Sequence, residues 1–154
     1  MAYTITLEEE KKEIAKRYKD MLSDTYQTLS NEDKLLIRKA FDIAADAHKE
    51  QRRKTGEPYI YHPIAVAKIV ANEIGLGAPS IASALLHDVV EDTEYTFADI
   101  EQLFGETIAR IVNGLTKISR LQKDQDISIQ AENFRKMLLT VNDDVRVILI
   151  KIAD

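Results

Sequence analysis

Residues 85–92 read LLHDVVED, and this stretch decides how the chain is interpreted. It contains four ionisable groups within six residues: His87, Asp88, Glu91 and Asp92. The surrounding residues predict a buried helix with about 3.6 residues per turn, so Glu91 lies one turn after His87, and the four side chains are expected to leave one helix face. Because buried carboxylates are costly unless they are paired or bind a metal, the pattern indicates a cation site.

The composition of the chain limits the classes of protein to which it can belong. Its 154 residues are enough for one domain with a real hydrophobic core. No apolar run is long enough for a membrane span, and the absence of cysteine excludes disulfides and thiolate metal sites, so we expect a cytoplasmic protein. The net charge of −5 argues against a nucleic-acid-binding surface, and an anionic substrate would need a local basic cluster or a metal.

Helical periodicity extends along the chain and predicts an all-α fold. The predicted helices cover about residues 7–22, 30–51, 63–74, 79–92, 96–104, 106–118 and 129–141. Capping boxes are expected at Ser30 and at Thr96, Pro63 is expected to open its helix, and Gly105 is expected to end one. We divide the chain into an N-terminal helix, residues 1–29, and a main domain, residues 30–154.

The last segment, residues 145–154, is ambiguous, because a short β-branched apolar run is also typical of a buried strand. A single strand without a partner would be unstable in an otherwise helical chain. We therefore predict a helix, capped by Asp143 or Asp144.

The three histidines differ in their surroundings. His62 precedes Pro63 at a predicted helix start, and two antiparallel helices joined by the turn at 75–79 would bring it close to His87. Two imidazoles with carboxylates and no sulfur suit manganese, iron or zinc, and an octahedral site suits manganese or iron best. His48 has no acidic cluster of its own and is predicted to be structural, so a site for a single metal is favoured over a binuclear one.

A basic loop, RRKTGEP at residues 52–58, interrupts the helical pattern. It offers the local positive charge that an anionic substrate requires, although an exposed loop of charged residues without a binding role would have the same sequence pattern. Arg53 can stack on a base as a planar cation, which a lysine would do less well.

Two stretches carry a resemblance to a known family. Residues 53–63, RKTGEPYIYHP, and residues 84–93, ALLHDVVEDT, closely resemble the hydrolase domain of the RelA/SpoT homologues. Further similar motifs extend the match over roughly residues 30–154, at positions 104–105, 113–117, 135–137 and 146–154. The resemblance implies an all-helical HD-domain phosphohydrolase that removes the 3′-pyrophosphate from the alarmones ppGpp and pppGpp with one manganese ion.

The resemblance also implies roles for individual residues. It implies four metal ligands: His62, His87, Asp88 and Asp154. It places Glu91 and Asp92 around the attacking water and the reacting phosphate, as the catalytic pair. It assigns nucleotide binding to Arg53, which packs on guanine, and to Lys54 and Thr55 beside it. The residues alone do not show which catalytic role belongs to Glu91 and which to Asp92.

In the family, helices after the final aspartate continue the domain, and synthetase and regulatory domains follow. We therefore expect a C-terminally incomplete HD domain from a longer bifunctional enzyme of the stringent response, related to GTP pyrophosphokinases. Metal and nucleotide binding are expected to be weakened in it, and exposed apolar faces favour self-association. The alternatives are an HD phosphohydrolase for another nucleotide and an inactive helical regulatory module.

Overall fold

The computed structural model describes residues 6–122 and 145–154 of the chain, and the regular elements in those ranges are helices. The α-helices are α1 Leu7–Leu22, α2 Asn31–Ala47, α3 Tyr61–Ile69, α4 Ala78–Leu86, α5 Val89–Asp92, α6 Phe97–Phe104, α7 Glu106–Gln122 and α8 Arg146–Ala153. A short 3₁₀ turn, Tyr26–Thr28, lies between α1 and α2. The predicted all-α fold is confirmed.

Helix α4 lies at the centre of the fold. Eight of its nine residues are buried, and it packs against α2, α3, α7 and α8. A helix that is apolar on all sides is stable only inside a core, because no face of it suits water. The C-terminus of α4 therefore places His87 inside the domain, and the partly buried Asp88 follows it at the wall of a cleft.

The predicted continuous helix through the charged cluster is wrong. Helix α4 ends at Leu86, a turn contains His87 and Asp88, and α5 begins at Val89. In a continuous helix the Ala84 carbonyl would accept from the amide of Asp88. Instead it accepts from the His87 amide at 3.4 Å and from His87 Nδ1 at 2.6 Å. The single-face arrangement predicted for the cluster is therefore replaced by a break between two helices.

The predicted end of α2 near Gln51 is also wrong, because the helix ends at Ala47. Tight turns follow, in which the Gln51 amide donates to the His48 carbonyl at 2.9 Å. The Gln51 carbonyl then accepts from the amide of Tyr59 at 3.0 Å, and Arg52 pairs with Pro58 in an isolated antiparallel bridge. These contacts close the basic loop on itself and take its first residues out of the helix.

Helix α3 begins at Tyr61, so Pro63 is its third residue and not the first, as predicted. Proline is tolerated there because the first amides of a helix have no intrahelical acceptor. The helix continues into a π-turn, Val70–Ile74, and ends at Gly75 in a left-handed conformation with φ of 77°. The predicted end near Ile74 is thus confirmed.

Several other predicted boundaries are confirmed. The hydroxyl of Ser30 accepts from the Asp33 amide at 3.0 Å, and Thr96 and Asp99 form a complete capping box at the start of α6. Gly105, with φ of 94°, ends α6. Helix α7 extends one turn beyond the predicted end near residue 118.

The last segment forms helix α8, as predicted, with Val147 and Ile150 buried in the core. The predicted helix at 129–141 and the capping residues Asp143 and Asp144 lie outside the described residues. Within the described ranges, none of the helices combines the length and apolarity needed to cross a bilayer.

Helix α1 packs on the same core as the rest of the domain. Met21 and Leu22 are buried, and the Met21 carbonyl accepts from Asn72 Nδ2 at 3.4 Å. The guanidinium of Arg17 lies 3.9 Å from the centre of the Tyr61 ring. The division of the chain at residue 30 stays a prediction.

We expect the capping box of α6 to contribute measurably to stability. Replacing Thr96 with alanine removes the hydroxyl that accepts from the Asp99 amide, and we expect a loss of about 1 kcal/mol in the free energy of unfolding. Urea denaturation followed by circular dichroism measures the change. The exposed Thr107, which lies inside α7, provides a matched control: Thr107→Ala should leave stability unchanged or slightly higher. Equal losses in the two variants would contradict the capping role.

Candidate metal centre

A cleft of about 340 Å³ opens where five separate parts of the chain meet. Its walls come from the residues before and within α3, from the break between α4 and α5, and from α5, α7 and α8. The lining residues are Tyr59, His62, Asp88, Glu91, Asp92, Ser119, Lys151 and Asp154. Most of the acidic cluster seen in the sequence therefore faces one cleft, although it does not lie on one helix.

The four predicted metal ligands come together at the base of this cleft. Asp154 Oδ1 lies 2.8 Å from His62 Nε2 and 3.3 Å from His87 Nε2. Asp88 Oδ2 lies 2.9 Å from His87 Nε2 and 3.9 Å from His62 Nε2. Ligand atoms of His62, His87 and Asp154 all lie within 4.8 Å of one another. Three elements that are far apart in sequence thus present nitrogen and oxygen donors to one small volume.

The tautomer of His87 is fixed by its backbone partner. Nδ1 donates to the Ala84 carbonyl at 2.6 Å, and because a carbonyl only accepts, Nδ1 must carry a proton. The other nitrogen, Nε2, is fully buried and has no directed hydrogen bond within the described part of the chain. A histidine that donates through one nitrogen and presents the other to a group of carboxylates is the usual arrangement of a metal-binding imidazole.

The electrostatics of the cluster are consistent with a site that requires a cation. Burial lowers the pKa of His87, but the carboxylates of Asp154 and Asp88 outweigh burial and raise it to about 10. Contacts with His62 and His87 hold the pKa of Asp154 well below its usual range. Burial raises the pKa of Asp88, but the contact with His87 lowers it further, and the net shift is downward. In the metal-free protein a proton on His87 therefore balances the carboxylates.

The donor set fits a divalent metal ion. Two imidazoles and two carboxylates without sulfur are the ligands that manganese, iron and zinc accept in proteins. The buried Nε2 of His87 lacks a directed hydrogen bond, and a metal ion would accept its electron pair.

The predicted catalytic pair lies at the wall of the same cleft, on α5. The side chain of Glu91 is half-buried and that of Asp92 is exposed. The backbone of Asp92 is held at both ends, because its amide donates to the Asp88 carbonyl at 3.0 Å and its carbonyl accepts from Gln51 Nε2 at 2.8 Å. The backbone contacts thus hold α5 beside the cluster of His62, His87, Asp88 and Asp154, and the carboxylates of α5 are not part of that cluster.

The predicted nucleotide-binding residues lie together on the basic loop. Arg53, Lys54 and Thr55 are exposed and line a second cleft. The loop is closed by a hydrogen bond from the Arg53 amide to the Glu57 carbonyl at 2.9 Å, and Gly56 adopts φ of 95°, a conformation that favours glycine. Tyr59 lines both this cleft and the one with the histidines, so the two clefts adjoin.

The base of the basic loop is attached to the first helix. Arg52 Nη1 donates to Glu10 Oε2 at 2.5 Å, and Glu10 is buried on α1. An ion pair with a buried carboxylate contributes more to positioning than a surface pair does, because water screens it less. Helix α1 therefore fixes one end of the loop that carries Arg53.

Sequence reasoning missed two residues that contact the proposed ligands. The hydroxyl of Tyr59 donates to Asp88 Oδ2 at 2.5 Å. Lys151 Nζ lies 2.9 Å from Asp154 Oδ2 and 3.4 Å from Ser119 Oγ. The signals were present in the sequence: Tyr59 lies between the basic loop and His62, and Lys151 lies one helical turn before Asp154. Both residue types are common, however, and neither position is informative until its partner is known.

His48 lies outside the ligand cluster and behind Tyr59. It is buried, and its Nδ1 contacts Gln51 Oε1 at 2.6 Å. Burial lowers its pKa, so the imidazole is neutral. Its ring centre is 4.8 Å from that of Tyr59, which lines the cleft.

Comparison with known proteins identifies the family of the chain. The HD domain family matches residues 40–154. The bifunctional (p)ppGpp synthase/hydrolase SpoT of Escherichia coli K12 is 48% identical over 136 residues, which are 88% of this chain and 19% of that protein. A guanosine-3′,5′-bis(diphosphate) 3′-pyrophosphohydrolase of Aquifex aeolicus is 47% identical over 118 residues, or 77% of this chain and 16% of that protein.

A solved structure shows a similar fold. It was reported under the heading "A metazoan ortholog of SpoT hydrolyzes ppGpp and plays a role in starvation responses", and it is 27% identical to this chain. The TM-score is 0.58, and the match covers 81% of this chain and 66% of that one. The chain spans about a fifth of the length of the curated relatives it matches. The predicted resemblance is thereby confirmed: the chain belongs to the HD domain family and, within it, to the RelA/SpoT group.

Proposed function

We propose that this domain hydrolyses (p)ppGpp, releasing pyrophosphate from the 3′ position of the nucleotide with the help of one divalent metal ion. The observation that carries the proposal is the convergence of His62, His87, Asp88 and Asp154 beside the basic loop. The substrate follows from the similar proteins, whose names specify (p)ppGpp hydrolysis. By the same reasoning, the domain would work beside a synthetase domain, as the words synthase/hydrolase in the name of the Escherichia coli relative imply. The resemblance to the RelA/SpoT homologues adds regulatory domains to this proposal.

We propose manganese as the metal, held by the two imidazoles of His62 and His87 and by the carboxylates of Asp88 and Asp154. Oxygen and neutral nitrogen donors suit manganese, and the described cluster has no sulfur. When bound, such an ion supplies Lewis-acid stabilisation of phosphoryl charge and makes water more acidic. The metal also offsets the charge of the cleft, which has four carboxylates in its lining.

The remaining residues of the cleft have roles that follow from their positions. The Glu91 and Asp92 carboxylates can accept a proton from the attacking water and orient it, because general bases act from within hydrogen-bond reach of the reacting atoms. The cleft carries one lysine among its lining residues, Lys151, which adds positive charge next to Asp154. Water attacks the phosphorus bonded to the ribose 3′-oxygen, that P–O bond breaks, and GDP leaves through its 3′-oxygen while the water oxygen becomes part of pyrophosphate. Positive charge near the scissile bond offsets the negative charge that develops on the phosphoryl oxygens and on the departing 3′-oxygen.

The basic loop provides the nucleotide subsite. Arg53 is proposed to stack on the guanine base, with Lys54 and Thr55 contacting the nucleotide beside it. Because Tyr59 lines both clefts, a nucleotide seated on the loop can extend its 3′-pyrophosphate directly towards the histidine cluster. The two clefts therefore correspond to the two ends of one substrate.

We expect Asp88→Asn to abolish hydrolysis, because an amide is a poor substitute for a charged metal ligand. The loss should exceed about 100-fold, since changes in groups that only support a ligand already cost about 10–100-fold. Anion-exchange chromatography of reactions containing manganese and ppGpp measures the GDP and pyrophosphate formed. The matched control is Asp42→Asn, which removes an exposed carboxylate paired with Arg38 on the surface and should retain full activity. Release of inorganic phosphate from nucleoside monophosphates, with ppGpp left intact, would favour a different HD phosphohydrolase.

We expect manganese binding to release a proton from His87. In the metal-free protein the pKa of His87 is about 10, so Nε2 is protonated at neutral pH, whereas a metal ligand must be deprotonated. Asp88 and Asp154 have lowered pKa values and are already ionised. The apparent affinity should therefore rise about tenfold per pH unit between roughly pH 7.5 and 9. Calorimetric titration in buffers of different ionisation enthalpy counts the protons, and an affinity independent of pH would contradict the assignment.

We expect Arg53→Lys to weaken nucleotide binding while leaving the chemical step intact. A lysine keeps the charge but loses the planar surface, and a cation–π contact is worth about 0.5–2 kcal/mol, or roughly 2- to 30-fold in KM. Steady-state kinetics with ppGpp separate KM from kcat. Arg110→Lys on the exposed face of α7 is the matched control and should change neither constant. A fall in kcat with KM unchanged would place Arg53 in the reaction and not in base binding.

A further inference from the structure

Tyr59 occupies a junction between the basic loop and the histidine cluster. Its amide donates to the Gln51 carbonyl at 3.0 Å, and its carbonyl accepts from the His62 amide at 3.0 Å. Its side chain is half-buried and lines both clefts. The backbone of this residue is thus fixed on both sides, and its ring lies between the two subsites.

The hydroxyl of Tyr59 contacts one particular oxygen of Asp88. It donates to Oδ2 at 2.5 Å, and the same oxygen lies 2.9 Å from His87 Nε2. Asp88 belongs to the turn between α4 and α5, and its carbonyl accepts from the Asp92 amide at 3.0 Å. A carboxylate only accepts, so the Tyr59 hydroxyl is the donor in this contact. This hydrogen bond is therefore one of the contacts that hold the Asp88 carboxylate, beside the contact with His87.

The ring of Tyr59 is held between two histidines. Its centre lies 4.8 Å from that of His48 and 5.9 Å from that of His62. His48 is buried, and it contacts the Gln51 side chain, whose Nε2 donates to the Asp92 carbonyl. One buried imidazole thus supports the tyrosine ring on one side and, through Gln51, the backbone of α5 on the other.

We propose that Tyr59 is a positioning residue of the metal centre, holding the Asp88 carboxylate in the orientation that a divalent ion requires, with His48 as the support of its ring. The inference rests on the proposed metal site and deepens it by naming a group outside the four ligands. A carboxylate oxygen has two lone pairs, so Oδ2 can accept from the hydroxyl and still donate to a cation. Such outer partners orient ligands and raise metal affinity in known metalloproteins.

The variant Tyr59→Phe tests the inference, because it removes the hydroxyl and keeps the ring between the histidines. Manganese affinity, measured calorimetrically on metal-free protein, should fall about 10- to 100-fold. KM for ppGpp should change little, since the ring surface facing the basic loop is retained, and kcat at limiting manganese should fall. Unchanged manganese affinity in Tyr59→Phe would overturn the inference.

The chain offers a matched control two residues away. The hydroxyl of Tyr61 is also buried, but it has no hydrogen-bond partner within the described residues. Tyr61→Phe therefore makes the same chemical change in the same helix region without touching Asp88, and its manganese affinity should stay within about twofold of the unmodified protein. An equal loss in both variants would show a general packing effect and would also overturn the inference.

A double-mutant cycle with Asp88→Asn separates positioning from a structural effect. If Tyr59 acts through the charged carboxylate, Tyr59→Phe should lower manganese affinity in the unmodified protein and have little further effect in the Asp88→Asn protein. Additive losses would overturn the inference, and urea denaturation of each metal-free variant shows whether folding contributes. If the unmodified protein itself does not bind manganese, the proposed metal site fails and the role of Tyr59 fails with it. Normal binding there, with Tyr59→Phe unaffected, removes the role of Tyr59 alone.

Discussion

The hydrogen bond from His87 Nδ1 to the Ala84 carbonyl is the interaction on which the rest of the centre depends. It joins the His87 side chain to the last turn of α4, and Nε2 then faces the carboxylates of Asp88 and Asp154. Because α4 is buried on all sides, His87 Nε2 lies where water has little access. Burying the surrounding carboxylates costs free energy unless a positive charge lies between them. In the metal-free protein that charge is a proton on His87, and in the proposed metal-bound form it is a divalent ion.

The fold was largely predictable, because helix starts and stops have local causes. The Thr96–Asp99 box and Gly105 are recognised from neighbouring residues alone, and the structure confirms them. The errors lie where other local contacts compete with the helical pattern. After Ala47 the basic loop is closed by its own hydrogen bonds, and after Leu86 the His87 side chain donates to the Ala84 carbonyl in the preceding turn. Neither cause is visible in the helical period.

The candidate site was predictable in part. The spacing from His87 to Asp92 revealed the acidic cluster, but the inclusion of Asp154 came from resemblance to a family, since periodicity cannot say which helices meet. Tyr59 and Lys151 were missed because their roles exist only through their partners, Asp88 and Asp154. The predicted residues thus include the four proposed ligands, and the structure adds the side chains that contact them.

The ion pair between Arg52 and the buried Glu10 connects local unfolding of the basic loop to that of helix α1. A loop that binds ligands is normally among the first parts of a protein to exchange its amide hydrogens, because its local unfolding requires little free energy. Here the root of the loop is joined to a helix that contributes Met21 and Leu22 to the core, so opening at the root also disturbs that helix. We therefore expect the basic loop and the first helix to exchange their amide hydrogens as one cooperative unit.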